Sequence, residues 1–147
     1  MKVLVLEDDQ FQAHDIKRYL SSTFNCDVIC IATELSFKRN LESGELDHCN
    51  VAVVDMMLRW TDPSPDMELP PGDVLKSGRY SAGVRCCAAL KLKNIPCVIY
   101  TALDVDTVSV LAQQKYPIVN KSVGYDALTE EIRQLLPQPP SQLQDPR

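Results

Sequence analysis

Hydrophobic residues gather into five short unbroken runs, at 3–6, 28–32, 51–54, 97–100 and 116–119. These runs are rich in β-branched side chains and continuous rather than alternating, the pattern of strands covered on both faces. The stretches between them carry a different period. Ala13, Ile16 and Leu20 fall at i, i+3 and i+7, and Tyr125, Leu128, Ile132 and Leu135 repeat a 3-4-3 spacing, so each set lies along one helical face. Segments 35–46, 82–93 and 104–114 are the other helical candidates. The order is βαβαβαβαβα, which predicts an α/β fold: a doubly wound, five-stranded parallel sheet with helices on both faces.

Two stretches break the rhythm. Segment 59–81 holds four prolines and little periodicity, and a connection of that length inside a compact domain is usually functional or disordered. From 137 to 147 the chain reads PQPPSQLQDPR, a solvated, extended tail or the start of a linker. The expected organisation is one domain over 1–136 with an insertion at about 59–81, followed by a flexible tail.

Composition narrows the function. The 147 residues are 45% hydrophobic and 24% charged with a net charge of −5, and no cluster of Lys and Arg offers a phosphate-binding patch, so nucleic acid is not an expected partner. The start, MKVLVLEDD, turns acidic after a few apolar residues, so neither a signal peptide nor a membrane span is expected there, and the location is read as cytoplasmic. The six cysteines form no CxxC pair and several lie in apolar runs. They are expected to be free, buried thiols rather than disulfides or zinc ligands.

In an open parallel sheet, ligands bind beyond the carboxyl ends of the strands. The first run ends in Glu7-Asp8-Asp9, the third in Asp55, the fourth in Thr101-Ala102 and the fifth in Asn120-Lys121. Each taken alone has an ordinary explanation, since an acid after a strand is often a helix cap and a Lys there is usually solvated. Together they bring carboxylates, a hydroxyl and an ammonium to one sheet edge. Clustered carboxylates repel unless a cation joins them, and hard oxygen donors suit Mg²⁺. A carboxylate can also attack phosphorus to form an aspartyl phosphate, with transfer aided by charge neutralisation of the phosphoryl oxygens.

The blocks VLVLEDDQ, VAVVDMML, VIYTALD and IVNKS, in that order, resemble the signature blocks of the two-component response-regulator receiver domain. The resemblance covers about residues 1–136 apart from the insertion. It implies the flavodoxin-like strand order 2-1-3-4-5, with Asp55 as phosphoacceptor, Thr101 as the switch hydroxyl and Lys121 as the conserved-type lysine. It further implies a Mg²⁺ site made by Asp8 directly, Glu7 mostly through water, Asp55 and the backbone carbonyl of Met57. A sensor histidine kinase or a phosphotransfer protein would donate the phosphoryl group, and a downstream protein would read it.

Three features depart from that pattern. Ser122 stands where the family usually has a proline after the lysine, so a trans peptide is expected there. Ile118 replaces the aromatic residue that commonly reports phosphorylation. If Gly83 is the glycine that opens the next helix, it lies 83 − 55 = 28 residues beyond Asp55, which makes the insertion roughly twenty residues long. Trp60, the chain's only tryptophan, either anchors a partner surface or packs the base of this segment. Two other functions share parts of the constellation. A pseudo-receiver would bind partners without phosphorylation. A haloacid-dehalogenase-like phosphatase would need a second acid where Met57 stands.

Overall fold

The computed structural model describes residues 1–113 and 115–137. Five strands, β1 (Lys2–Leu6), β2 (Asp27–Ile31), β3 (Val51–Val54), β4 (Cys97–Thr101) and β5 (Ile118–Asn120), form one parallel sheet in the order β2-β1-β3-β4-β5. The three central strands are buried almost throughout, whereas β2 and β5 are partly open, as sheet edges must be.

Side chains alternate between the two faces of the sheet and so build two cores. Val3, Val5, Val51, Val53, Val98 and Tyr100 face α1 (Gln10–Phe24) and the C-terminal helix (Tyr125–Leu135), meeting Ile16, Leu20, Leu128 and Ile132. Leu4, Leu6, Ala52, Val54, Cys97 and Ile99 face the other way. They meet α2 (Glu34–Glu42) through Phe37 and Leu41, and Cys86, Cys87, Leu90, Val108 and Ala112 from later helices.

Local chemistry sets the ends of these elements. Asp9 caps α1 by accepting from the Phe11 and Gln12 N–H groups, and Thr33 caps α2 by accepting from Ser36. The chain turns after α2 at Gly44, whose φ of +83° belongs to the left-handed region, so α2 stops short of the expected 46. β5 begins at Ile118 rather than 116, because Pro117 has no N–H to give a ladder and restrains Tyr116 before it.

The segment expected to be irregular contains a short helix, α3 (Gly72–Ser77), and a 3₁₀ turn (Arg79–Ser81) leading into α4 (Ala82–Leu92). α5 (Val105–Leu111) and the C-terminal helix, α6, complete the fold. Beyond Pro137 the expected tail lies outside the described residues. Among the described residues the cysteines are all free. Cys49, Cys86, Cys87 and Cys97 are buried as expected, but Cys26 is half-buried and Cys30, on the edge strand β2, is exposed.

Candidate functional site

The residues singled out at strand ends share the carboxyl edge of the sheet. The Glu7 N–H donates to Ile31 and the Asp55 N–H donates to Leu6, which carries the strand ladder one residue past β1 and β3 and fixes both acids at that edge. Glu7, Asp55 and Thr101 are buried. Lys121, directly after β5, donates from Nζ to Glu7 Oε2 at 2.6 Å and to Asp55 Oδ2 at 3.0 Å, and also to Gln12 Oε1 on the first turn of α1.

One ammonium therefore holds two buried carboxylates together. Burial first, and then the Asp55 charge, push the Glu7 carboxyl up to about 7. Burial works against the Lys121 ammonium, but its hydrogen bond to Glu7 and the Asp55 charge outweigh that and hold it charged above its usual range.

The loop after β4 is tied to the same edge. The Leu103 N–H donates to Thr101 Oγ1 at 3.2 Å, and Asn120 Nδ2 donates to the Leu103 carbonyl at 2.9 Å. Asn120 Oδ1 accepts in turn from the Ser122 N–H at 2.9 Å, a bond that a proline at 122 would forbid. The peptide bonds of the described residues are trans, including the one before Ser122.

Asp8 stands in a different setting, built by the 59–81 segment. After Asp55 the chain turns across the end of β1 to the far side of the sheet, where Arg59 forms a parallel bridge with Thr33. The Arg59 and Trp60 carbonyls accept from the Glu34 and Leu35 N–H groups, so this stretch supplies partners for donors at the start of α2. Trp60 is pinned, its indole N–H donating to the Glu68 carbonyl and its ring lying under Lys38, which places it at the base of the segment. Arg59 Nε and Arg79 Nη2 each lie 3.8 Å from Asp8 Oδ2, and Arg59 Nη2 donates to the Asp8 carbonyl at 3.3 Å. The segment returns to the site through Gly83, whose N–H donates to the Met56 carbonyl.

The donor set of Glu7, Asp8, Asp55 and the Met57 carbonyl consists of hard oxygens and suits Mg²⁺ in its chemistry. Among the described residues, no three acid, His or Cys side chains draw together around one point as a metal-holding group. Lys121 lies between Glu7 and Asp55, and Arg59 and Arg79 take Asp8. The third acid, Asp9, is committed to capping α1.

No protein-family model and no curated protein matches this sequence. Solved structures do. The BeF3-activated N-terminal receiver domain of RstA from Klebsiella pneumoniae aligns over 94% of this chain and 100% of its own length, with a TM-score of 0.67 and 21% identity. The BeF3-activated DrrB receiver domain aligns over 91% of this chain and 95% of its own, at TM-score 0.64 and 19% identity. The receiver domain of the Francisella response regulator 1452 aligns over 91% and 94%, at TM-score 0.61 and 22% identity. This chain has the receiver fold. Within that fold, Glu7, Asp8, Asp55, Thr101 and Lys121 lie at the carboxyl edge of the sheet, the position that sequence reasoning gave them. It missed Gln12, Arg59 and Arg79, and it gave Asn120 no role. Gln12 carried a signal, since the first turn of a helix after β1 must face the same edge. The arginines carried none, because their approach to Asp8 depends on the path of an aperiodic segment.

Proposed function

We propose that this receiver-fold chain is a phosphoaspartate switch, a signalling domain rather than a classical enzyme, whose phosphoacceptor is Asp55. The observation that carries this reading is the Lys121 ammonium within hydrogen-bond reach of both Asp55 and Glu7 at the carboxyl edge of the sheet. In the reaction an Asp55 carboxylate oxygen attacks the phosphorus of a phosphohistidine on a histidine kinase or phosphotransfer protein. The P–N bond breaks, its electron pair leaves with the imidazole, and an acyl phosphate forms. Lys121 is placed to neutralise charge on the phosphoryl oxygens, and the Thr101 hydroxyl to donate to one of them. Asp8, Asp55 and the Met57 carbonyl would hold Mg²⁺, with Glu7 beside them, and a cation there would further neutralise those oxygens. The BeF3-activated state named for two structural neighbours fits a carboxylate that accepts a phosphoryl-like group.

No helix among the described residues is long and apolar enough to cross a membrane, and the proposed switch would act in the cytoplasm, read by a downstream partner. The exposed stretch 62–69, fastened along α2 by the Trp60–Glu68 hydrogen bond and the Arg39–Glu68 ion pair, is the part of the surface we assign to that partner.

A second reading, a pseudo-receiver that signals without phosphorylation, draws support from the cations already paired with Glu7, Asp8 and Asp55. Intact-mass measurement after incubation with Mg²⁺ and a small phosphodonor, and then with a phosphohistidine donor protein, separates the two. We expect one phosphoryl group in the wild type and none in Asp55→Asn. Equal labelling of both proteins, or labelling indifferent to chelation of Mg²⁺, refutes the assignment.

A further inference from the structure

We propose that Arg59 and Arg79 set the affinity of Asp8 for a divalent cation by holding guanidinium charge where that cation would bind. This rests on the reading of Asp8 as a metal ligand and adds a determinant that lies outside the strand-end residues. Three observations support it. Both arginines come from the 59–81 segment, and both approach the same oxygen, Asp8 Oδ2, at 3.8 Å. That separation gives Coulombic attraction without a hydrogen bond to Oδ2, so the carboxylate can be released at the cost of one long hydrogen bond at most, that of Arg59 Nη2 to the Asp8 carbonyl at 3.3 Å. Arg59 Nε is buried and has no hydrogen-bond partner, so this donor faces Asp8 without being satisfied by it.

The geometry also provides for release. Arg59 Nη2 is 3.7 Å from Asp62, an exposed carboxylate of the same segment that stays available when Asp8 is given up. Arginine remains charged across the working pH range, so the competition is not relieved by deprotonation. Linkage then makes the effect reciprocal: a cation on Asp8 loosens the ends of the segment, and whatever holds the segment closed weakens the cation site. A partner that captured the segment would thereby raise the cation affinity of the site without touching a strand-end residue.

The test is a calorimetric Mg²⁺ titration of the whole chain, comparing the wild type with the double variant Arg59→Gln/Arg79→Gln. Two half-exposed ion pairs removed together should tighten Mg²⁺ binding about three- to tenfold. Lys91→Gln/Lys93→Gln makes the same change in net charge at the other end of α4, and its affinity should stay within error of the wild type. Equal affinity in the arginine variant and the wild type, or the same tightening in the lysine control, overturns the proposal while leaving the metal reading intact. Binding by neither protein overturns the metal reading and the proposal with it. A second measurement needs no variant. Saturating Mg²⁺ should speed trypsin cleavage after Arg59 and Arg79 in the wild type, and unchanged or slower cleavage contradicts the proposed release.

Discussion

Gly83 lies directly against the main chain of Asp55: a Cβ built on it would fall 2.5 Å from the Asp55 carbonyl oxygen and 2.8 Å from Met56 Cα. Both are backbone atoms of the turn that carries the Asp55 carboxylate, so neither can swing aside. Alanine at 83 would gain about 1 kcal/mol in helix propensity, but overpacking of this kind typically costs about 1–3 kcal/mol. We expect the clash to win, with Gly83→Ala lowering the denaturant midpoint and slowing phosphoryl uptake by shifting Asp55. A variant as stable and as reactive as the wild type would show that the α4 start moves freely relative to β3.

Glu7 and Asp8, the first two acids after β1, should differ as metal ligands. Asp8→Asn should weaken Mg²⁺ binding more than Glu7→Gln, because a direct ligand contributes more than one acting through water. Glu7 is also the acid already engaged by Lys121. Titration of both variants settles the order, and equal or reversed losses would place Glu7 in direct contact with the ion.

The phosphoryl group should be long-lived. Met57 and Leu103 occupy the positions that, by resemblance to the family, flank the path of hydrolytic water, and both side chains are apolar and half-buried. Neither can orient a water molecule. Met57→Asn combined with Leu103→Glu should shorten the phosphoryl lifetime in a decay assay. An unchanged lifetime would point to exclusion of water by the segment that crosses the end of β1.

Thiol reactivity should separate the cysteines in a defined order. Cys30 is exposed, with only a burial-driven rise of its thiol above the usual range. Burial raises the Cys86 thiol much further, and for Cys87 a hydrogen bond with Cys97 comes first and burial second. A raised thiol pKa leaves less thiolate, the reactive form, at any given pH. Mild alkylation followed by peptide mapping should therefore label Cys30 first. Cys86 and Cys87 should resist until the chain unfolds, and early labelling of either would mean that α4 opens locally.

What the sequence revealed followed from how strongly each element depends on its own residues. The central strands were legible because burial on both faces demands unbroken apolar runs, and α1 and α6 because Ile16, Leu20, Leu128 and Ile132 must meet one side of the sheet. Once the strands were placed, a parallel sheet forced Glu7, Asp55, Thr101 and Lys121 to a common edge. The short helix α3 was hidden, since its six residues are too few to display a period and only Val74 is buried. Arg79 was invisible as a neighbour of Asp8, being 79 − 8 = 71 residues away and brought there by tertiary structure alone. Trp60 was read as either an interface anchor or a loop base. Its hydrogen bond to Glu68 and its contact with Lys38 place it at the base.

The convergence of Arg59 and Arg79 on one oxygen atom brings side chains from the two ends of the intervening segment together at Asp8. Between them, residues 62–69 are exposed. The closure entropy of a loop grows only slowly with its length, by about 0.6 kcal/mol for each doubling. The domain thus carries, in this segment, a place where foreign sequence can be spliced in without straining the sheet. An epitope, a fluorophore-binding tag or a small domain grafted between Pro63 and Pro65 would be displayed on the exposed part of the segment, between the fastenings that Trp60 and Glu68 make along α2.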